Sequence, residues 1–321
     1  MNTAVSNRPM VSVVMLCWNR KNEVQISLRR VFEMDYPFFE VIVVDNNSTD
    51  GTAQMVKKEF PAAVIAELNN NIGIAGWNEG FRIAKGEYIL VLDDDSYPNK
   101  KAVSIGVETM RRDPRCGVLA LNVKERGTSS SREKEHTENV QLSFVGCGAL
   151  IRSSLLELIG GFESLLFLYS HELEFSMRVY DNGHNIKYEE HSIIIHNRSD
   201  MHRQVDAKVG RDLRMHYHYT RNCIIILCLH FPILNVVLKL CRFVPGQIIF
   251  SCVRGGILTT MSALLSCVHI VGEIRKRRKV LSKEAQQIYG YGNFFAGLFG
   301  DGVYALKRPT FLLTRSTLKK P

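Results

Sequence analysis

Short apolar runs alternate with helical stretches through the first part of the chain, and this alternation most constrains the fold. The apolar runs are residues 11–16, 41–44, 63–68 and 88–92. Continuous apolar runs are typical of strands that are covered on both faces. Their alternation with helices predicts an α/β fold with a doubly wound, mostly parallel sheet.

The remaining elements follow from helical spacing and from turn residues. We predict helices over 21–34, 52–60, 75–84, 153–159 and 170–182. We predict a strand over 140–151, interrupted by glycines, and short strands over 186–188 and 193–195. Residues 125–139 are polar and predict an exposed loop.

Polar side chains follow three of the predicted strands. Asn19 and Asp45 each lie just beyond an apolar run, and three aspartates follow the fourth run. Ligands of open α/β sheets bind outside the carboxyl ends of the strands. We therefore expect all these residues along one edge of the sheet.

The three aspartates, Asp93, Asp94 and Asp95, predict a divalent metal site. Side chains alternate along an extended chain, so Asp93 and Asp95 should point to one side and Asp94 to the other. Two neighbouring carboxylates repel unless a cation lies between them, and oxygen ligands suit Mg²⁺ or Mn²⁺. An acidic turn is the alternative. His196, which ends a later apolar run, could complete the metal site or could be structural.

Asp45 is followed by Asn46, Asn47 and Ser48, whose donors and acceptors suit a nucleotide base and ribose. The alternative is that this segment only caps the next helix. Ser48 or Asp50 would serve as that cap, so capping does not require Asp45.

Two glutamates begin the helix predicted over 170–182. Glu174 and Arg178 are spaced i,i+4 in the favourable order and predict an ion pair. Glu172 is rotated away from Glu174 and has no such local partner. Glu172 could therefore accept a proton from an attacking hydroxyl. The alternative is an acid that stabilises the helix N-terminus.

Composition changes beyond residue 201. Residues 1–201 carry 22 Lys and Arg against 27 Asp and Glu, a net charge of −5, whereas residues 202–321 carry 19 against 5, a net charge of +14. Apolar stretches there, broken at 232, 245–246 and 255–256, include an uncharged run of 18 residues over 255–272, which a basic cluster over 275–279 follows. A spanning helix needs about 20 mainly apolar residues. We therefore predict helices lying on an anionic membrane surface, with a spanning helix as the alternative.

The absence of several known sequence signals excludes other classes of protein. The N-terminus has no secretory signal, and eight cysteines without metal spacing predict reduced core thiols in a cytoplasmic protein. There is no P-loop, dinucleotide or nucleophile-elbow motif. Basic residues are not interleaved with aromatics, so no nucleic-acid partner is expected.

The order of these motifs resembles the family 2 inverting glycosyltransferases with a GT-A fold, especially bacterial rhamnosyl- and galactofuranosyltransferase-like members. The motifs are VIVVDNNSTDGT at 41–52, NIGIAGWNEG at 71–80, LDDD at 92–95, GCGALIR at 146–152, GGF at 160–162, and the helix from His171 to Arg178. Likeness at the opening strand, at 219–222 and at 231–232 extends the resemblance over roughly residues 10–232. No QxxRW motif follows, so a processive synthase is not expected.

The resemblance implies roles for individual residues. Asp45 would bind the nucleoside, and Asp93 and Asp95 would form a DxD metal and donor site with His196 as a further metal ligand. Glu172 would be the general base. The donor-binding motifs also contain Asn19, Asn71, Asn78 and Asp94, and Trp77 would line a pocket or be buried. The chain departs from the family pattern at His171, where Glu is common, and at Glu172, where Asp is common.

These observations predict a catalytic GT-A domain over 1–201 and a basic helical membrane-associating region over 202–321. The predicted enzyme transfers one sugar with inversion from a UDP- or dTDP-sugar to a lipid-linked or cell-surface glycan, at the cytoplasmic face of the membrane. One alternative is a sugar-phosphate nucleotidyltransferase, which releases pyrophosphate in place of a nucleoside diphosphate. The other is a non-catalytic glycan-binding protein of the same fold.

Overall fold

A computed structural model describes residues 8–126, 141–197, 208–254 and 256–289. The strands are β1 (Val11–Cys17), β2 (Phe39–Asp45), β3 (Val64–Glu67), β4 (Tyr88–Asp93), β5 (Ser96–Pro98), β6 (Cys116–Glu125), β7 (Ala149–Arg152) and β8 (Asn185–His196). The first helices are α1 (Lys21–Phe32), α2 (Thr52–Glu59), α3 (Gly76–Ile83), α4 (Ala102–Arg112), α5 (Ser153–Ile159) and α6 (His171–Asp181). The later helices are α7 (Lys208–His230), α8 (Ile233–Arg254), α9 (Ile257–His269), α10 (Val271–Arg277) and α11 (Lys283–Ile288).

The strands form one sheet in the order β3-β2-β1-β4-β7-β6-β8-β5. The first four neighbours are parallel, as are β6 and β8, while β7 runs antiparallel to both of its neighbours and β5 antiparallel to β8. The predicted α/β fold with a mostly parallel sheet is therefore confirmed. Cys17 pairs with Asp45, and Leu16 pairs with Asp93, so β1, β2 and β4 end at one common edge.

Successive side chains of the central strands face opposite sides of the sheet, and each side has its own apolar core. Val14 and Val91 belong to the cluster that contains Phe175 of α6, while Val13 and Leu90 belong to the cluster that contains Leu28 of α1. Burial on both faces explains why the strands are apolar throughout.

The C-terminal helices share the first of these cores. Ile225 and Leu227 of α7 are fully buried in the same cluster as Phe175, and Tyr289 joins it after α11. The division at residue 201 stays a prediction, while the apolar core is continuous across it among the described residues.

Several element predictions were wrong in detail. The strand predicted over 140–151 begins only at Ala149, because residues 146–148 form a turn. The two strands predicted near 186–188 and 193–195 are one strand, β8, with a register shift opposite Leu121. Pro245 lies inside α8 and does not break it. Proline removes one hydrogen bond of a helix, yet α8 continues past Pro245, and Phe243, two residues before it, is buried in the core.

Sequence reasoning also left out β5 and β6, the two strands that flank β8 in the sheet, and the helix α4 that lies between them in the chain. The predicted loop over 125–139 lies outside the described residues from 127 onward, and Glu125 itself ends β6.

Candidate active site

Arg20, just after β1, contacts two of the three aspartates. Its Nη1 is 2.7 Å from Asp94 Oδ1 and 3.0 Å from Asp95 Oδ2. The chain turns after Asp93, where β4 ends, so Asp94 and Asp95 do not follow strand alternation. The expectation that Asp94 points away from Asp95 was therefore wrong. Sequence reasoning missed Arg20, which lies 74 residues from Asp94 along the chain.

His196 is brought to the aspartates by the pairing of β8 with β5, the last two strands of the sheet. It ends β8 and pairs with Ser96 of β5, the strand that follows the aspartates. Its Nε2 is 2.9 Å from Asp95 Oδ1. Ligand atoms of Asp93, Cys147 and His196 also lie within 4.8 Å of one another. The structure therefore brings His196 to the aspartates, and it adds Cys147, which the sequence indicated only as a core thiol.

Charge in this group is unevenly distributed. Burial raises the pKa of Asp93, and the neighbouring Asp95 raises it further. Burial would also raise the pKa of Asp95, but the contacts with His196 and Arg20 outweigh it and lower that pKa. One negative charge is thus well held and the second is disfavoured. A divalent cation would relieve this repulsion, and the carboxylates present suit Mg²⁺ or Mn²⁺ as ligands.

Asp45 lies at the same edge, at the end of β2, and is buried. Its carboxylate oxygens accept from the backbone N–H of Ser48 at 3.3 Å. Asp50 accepts from the N–H of Thr52 at the start of α2. Because Asp50 serves the helix start, Asp45 remains available for another role.

The asparagines at this edge shape the loops. Asn19 accepts from the N–H of Thr49 at 2.7 Å, and Asn46 donates to Asn71 at 2.9 Å. Asn78 makes two hydrogen bonds with the backbone of Phe162, at 2.7 and 2.8 Å. These side chains hold the strand-end loops in place, and donor binding by Asn19, Asn71 and Asn78 stays a prediction.

Backbone conformation is unusual at the same edge. Asn19 and Asn47, which follow β1 and β2, have φ angles of 53° and 66°. Tyr169 and Ser170, which precede α6, have φ angles of 66° and 62°. Asparagine tolerates this left-handed region better than most residues, whereas tyrosine does not, and such conformations concentrate at functional sites.

Glu172 lies in the first turn of α6, with its side chain 25% exposed. Its Oε1 accepts from the N–H of Gly146 at 3.3 Å, and its Oε2 is 3.3 Å from His171 Nδ1. After burial and Asp95, Glu172 is a smaller contributor to the raised pKa of Asp93. Glu172 therefore contacts the turn that carries Cys147, and its role as the general base stays a prediction.

His171 is buried against two aromatic rings. Its ring stacks on Trp77 at 5.6 Å between centroids and contacts the edge of Phe162 at 4.9 Å. Neither ring nitrogen has a hydrogen-bond partner among the described residues, and burial lowers the pKa of His171. Trp77 is also buried and donates from Nε1 to the carbonyl of Leu92. This aromatic packing positions the start of α6, and with it Glu172.

The predicted ion pair between Glu174 and Arg178 is confirmed. Arg178 donates to both carboxylate oxygens, from Nε and Nη2 at 2.8 Å each. His230 of α7, which sequence reasoning missed, places Nε2 2.8 Å from Glu174 Oε1. Burial would raise the pKa of Glu174, but Arg178 and His230 outweigh it and lower the pKa to about 2.

Solved structures with this arrangement of elements define the fold class. Staphylococcus aureus TarS 1-349 in complex with UDP-GlcNAc matches with a TM-score of 0.55 and 21% identity, covering 84% of this chain and 82% of TarS 1-349. The mannosyltransferase PcManGT from Pyrobaculum calidifontis, in complex with GDP-Man and Mn²⁺, matches with a TM-score of 0.55 and 20% identity, over 82% and 76% of the two chains. The chain therefore has a GT-A fold followed by a helical C-terminal region.

The sequence comparison then identifies the family. The model for glycosyl transferase family 2 matches residues 12–172, half of the chain, and the protein belongs to that family. The poly-beta-1,6-N-acetyl-D-glucosamine synthase of Staphylococcus epidermidis is 30% identical over 141 residues, which are 43% of this chain and 34% of that synthase. The synthase of Staphylococcus aureus strain MSSA476 is 27% identical over 140 residues. The matched part thus spans about a third of these curated relatives.

Proposed function

We propose that this protein is an inverting glycosyltransferase that moves one sugar from a UDP- or dTDP-linked donor to an acceptor hydroxyl. The observation that carries the proposal is the convergence of Asp93, Asp95 and His196 at the carboxyl end of β4, where Glu172 contacts the neighbouring turn at Gly146. Membership of a glycosyltransferase family supports the reaction class. The complexes of two neighbours with UDP-GlcNAc and GDP-Man support a nucleotide-sugar donor.

In this proposal Asp93, Asp95 and His196 hold a Mg²⁺ or Mn²⁺ ion. When bound, the cation supplies Lewis-acid stabilisation of negative charge on the departing diphosphate. Arg20 would hold Asp94 and Asp95 in place through the two contacts of its Nη1. Asp94 would support the donor site through its contact with Arg20, and Asp93, whose raised pKa disfavours its negative charge, is the carboxylate that a cation would most help to ionise.

Glu172 is the proposed general base. Its carboxylate is partly exposed, and among the described residues it contacts the Gly146 N–H and the neighbouring His171 ring, each at 3.3 Å. A carboxylate in that state can accept the proton of an acceptor hydroxyl as the oxygen attacks the anomeric carbon. Attack opposite the diphosphate inverts the configuration at that carbon. Asp45, at the end of β2, would bind the nucleoside.

The acceptor side of the proposal concerns the C-terminal helices. By length and composition, α8 could cross a membrane over Ile233–Val253, with a mean hydropathy of 1.6 and 17% of its apolar window buried. Helices α9 and α10 would form a second span only as a pair bent by 55°. Large apolar side chains stand exposed on these helices, including Leu234, Val253 and Leu258.

We propose that this apolar surface and the basic cluster over 275–279 hold the enzyme on the cytoplasmic face of an anionic membrane. A lipid-linked or cell-surface glycan would then be the acceptor. The curated relatives are synthases of a polysaccharide, which supports a glycan product.

The reaction is tested with the purified full chain and a panel of nucleotide sugars, with Mg²⁺ or Mn²⁺ and with or without a lipid-linked acceptor. We expect acceptor-dependent release of a nucleoside diphosphate from one UDP- or dTDP-sugar. Release of pyrophosphate would indicate a nucleotidyltransferase. If no sugar nucleotide binds with either metal, the enzyme assignment is wrong.

Membrane association is tested by sedimentation with vesicles of phosphatidylcholine alone or with added phosphatidylglycerol. We expect binding to the anionic vesicles, weakened by about 1 kcal/mol for each charge removed in Arg275→Ala and Lys276→Ala. Lys57→Ala on α2 is the matched control and should bind as the wild type does. Equal binding to neutral vesicles would show that charge has no part in the association.

A further inference from the structure

Cys147 lies in the turn before β7, directly against the proposed metal site. Its side chain is 2% exposed, and its Sγ is within 4.8 Å of ligand atoms of both Asp93 and His196. Carboxylate, imidazole and thiolate are all metal ligands in proteins. Among the described residues, this is the one group of three such side chains whose ligand atoms come this close.

The glycines on each side explain how the sulfur reaches this position. A Cβ at Gly148 would lie 2.4 Å from the Val123 side chain, and a Cβ at Gly146 would lie 3.1 Å from Glu172 and from His171. At Gly148 only glycine allows the turn to approach β6 so closely, and at Gly146 a larger residue would require the side chains of α6 to shift. The turn is also tied to β6, because Leu121 N–H donates to the carbonyl of Gly148 at 2.9 Å.

A second buried cysteine provides a contrast. Cys116, at the start of β6, is fully buried and donates to the carbonyl of Val118 at 3.3 Å. It pairs with Asn185 at the opposite end of β8 from His196. Cys116 has the surroundings of a core thiol, whereas Cys147 faces a carboxylate and an imidazole.

We propose that Cys147 supplies a sulfur ligand to the metal centre beside Asp93 and His196. The proposal rests on the metal site of the proposed function. When the metal–sulfur bond forms, the thiol proton passes to solvent. Thiolate is a soft ligand and favours Co²⁺ and Zn²⁺ over Mg²⁺, which prefers oxygen ligands in strict octahedral geometry. The sulfur would thus set which cation the centre selects.

The experiment adds Co²⁺ to the purified full chain in the presence of UDP and records its absorption spectrum. Bound cobalt gives visible ligand-field bands, and a sulfur ligand adds a thiolate-to-cobalt charge-transfer band in the near ultraviolet. We expect both from the wild type and from Cys116→Ser. We expect Cys147→Ser to keep the visible bands, to lose the near-ultraviolet band, and to lower the ratio of Co²⁺ to Mg²⁺ affinity by about tenfold or more.

Each outcome is decisive. Visible bands without a charge-transfer band in the wild type would overturn the sulfur ligand and leave the metal site of the proposed function standing. Failure of Co²⁺ to bind at all in the presence of UDP would overturn the metal site and this proposal together.

A second measurement uses the wild type alone, in case Cys147→Ser does not fold. Cysteines are alkylated with and without Co²⁺, and the labelled peptides are read by mass spectrometry. We expect the metal to slow labelling of Cys147 while leaving Cys116 unchanged. Equal labelling of Cys147 with and without bound cobalt would overturn the proposal.

Discussion

Two clusters of charged residues in this molecule are built in opposite ways. The first, which we name the acidic edge, consists of Asp93, Asp95, His196 and Arg20; the second, the Glu174 cluster, consists of Glu174, Arg178 and His230. In the acidic edge, burial and crowding raise the pKa of Asp93. In the Glu174 cluster, contacts with Arg178 and His230 outweigh burial and lower the pKa of the carboxyl to about 2.

This difference shows how a carboxylate that stabilises the fold can be told from one that is available to a ligand. Glu174 is 1% exposed, and both of its carboxylate oxygens already accept hydrogen bonds from Arg178, so it is poorly accessible to a ligand. Glu172, two residues earlier on α6, is 25% exposed and weakly held. One helix therefore carries a structural glutamate on one side and the proposed base on another.

The largest expected effect is on the acidic edge. We expect Asp95→Ala to lower sugar transfer by about 10⁴-fold or more, because a bound cation contributes several kcal/mol to stabilising charge in the transition state. Metal-dependent donor binding should fall with it, measured by calorimetry. The matched control is Asp113→Ala, at a half-buried carboxylate that pairs with Lys187. Full transfer by Asp95→Ala would remove the metal role.

Glu172→Gln tests the proposed general base, the glutamate of α6 that we contrasted with Glu174. We expect kcat to fall by about 10²- to 10⁴-fold while donor affinity stays unchanged, since only proton transfer is lost. Steady-state kinetics and donor titration separate the two quantities. Glu157→Gln, at an exposed position of α5, should behave as the wild type. Unchanged kcat in Glu172→Gln would mean that another group accepts the proton.

Substitution in the Glu174 cluster should affect stability first. We expect Glu174→Gln to lower the free energy of unfolding by about 3 kcal/mol or more, because it leaves Arg178 buried without its counter-charge. Urea unfolding followed by circular dichroism measures this. Glu108→Gln, in an exposed pair with Arg112, should cost less than about 1 kcal/mol. Equal losses in the two variants would show that the cluster does not stabilise the fold.

The same cluster predicts a response to acid. The pKa of Glu174 is about 2 in the folded protein, below its ordinary value of 4.5. A lowered pKa stabilises the fold above the ordinary value, and that stabilisation is lost as the pH falls from about 4.5 towards 2, on the order of 3 kcal/mol in all. Unfolding measured across this range should be less pH-dependent in Glu174→Gln than in the wild type. If the free energy of unfolding depends on pH in the same way in both proteins, Glu174 is not the carboxyl responsible for the acid response.

The smallest effect should have the opposite sign. We expect Asp93→Asn to raise the free energy of unfolding of the metal-free protein by about 1 kcal/mol, because it removes one of two crowded negative charges. Added Mn²⁺ should stabilise the wild type more than this variant, measured as a shift of Tm. Destabilisation by Asp93→Asn without metal would show that the negative charges of the acidic edge are already compensated by their partners.

Much of the fold could be predicted locally. The bounds predicted for α2, α3, α5 and α6 lie within about two residues of those observed, because turn residues and helical spacing are local signals. The i,i+4 pair of Glu174 and Arg178 is local in the same sense. The prediction of a strand over 140–151 was wrong because this apolar run includes the glycine turn that carries Cys147.

The missed residues all make contacts that are distant in sequence. Arg20 and Asp94 are 74 residues apart, and His230 and Glu174 are 56 apart. No spacing rule reports such pairs. They depend on strand order and on which helix packs over which part of the sheet.

By itself, the sequence determined that strands and helices alternate and that acids follow β2 and β4, because apolar periodicity and strand ends are properties of neighbouring residues. Tertiary structure alone decided that His196 and Cys147 meet Asp93. The sheet places β7 and β6 between β4 and β8, and β5 returns the chain from the aspartates to the edge beside His196. That path is set by the packing of the whole sheet, which is why no local pattern contains it.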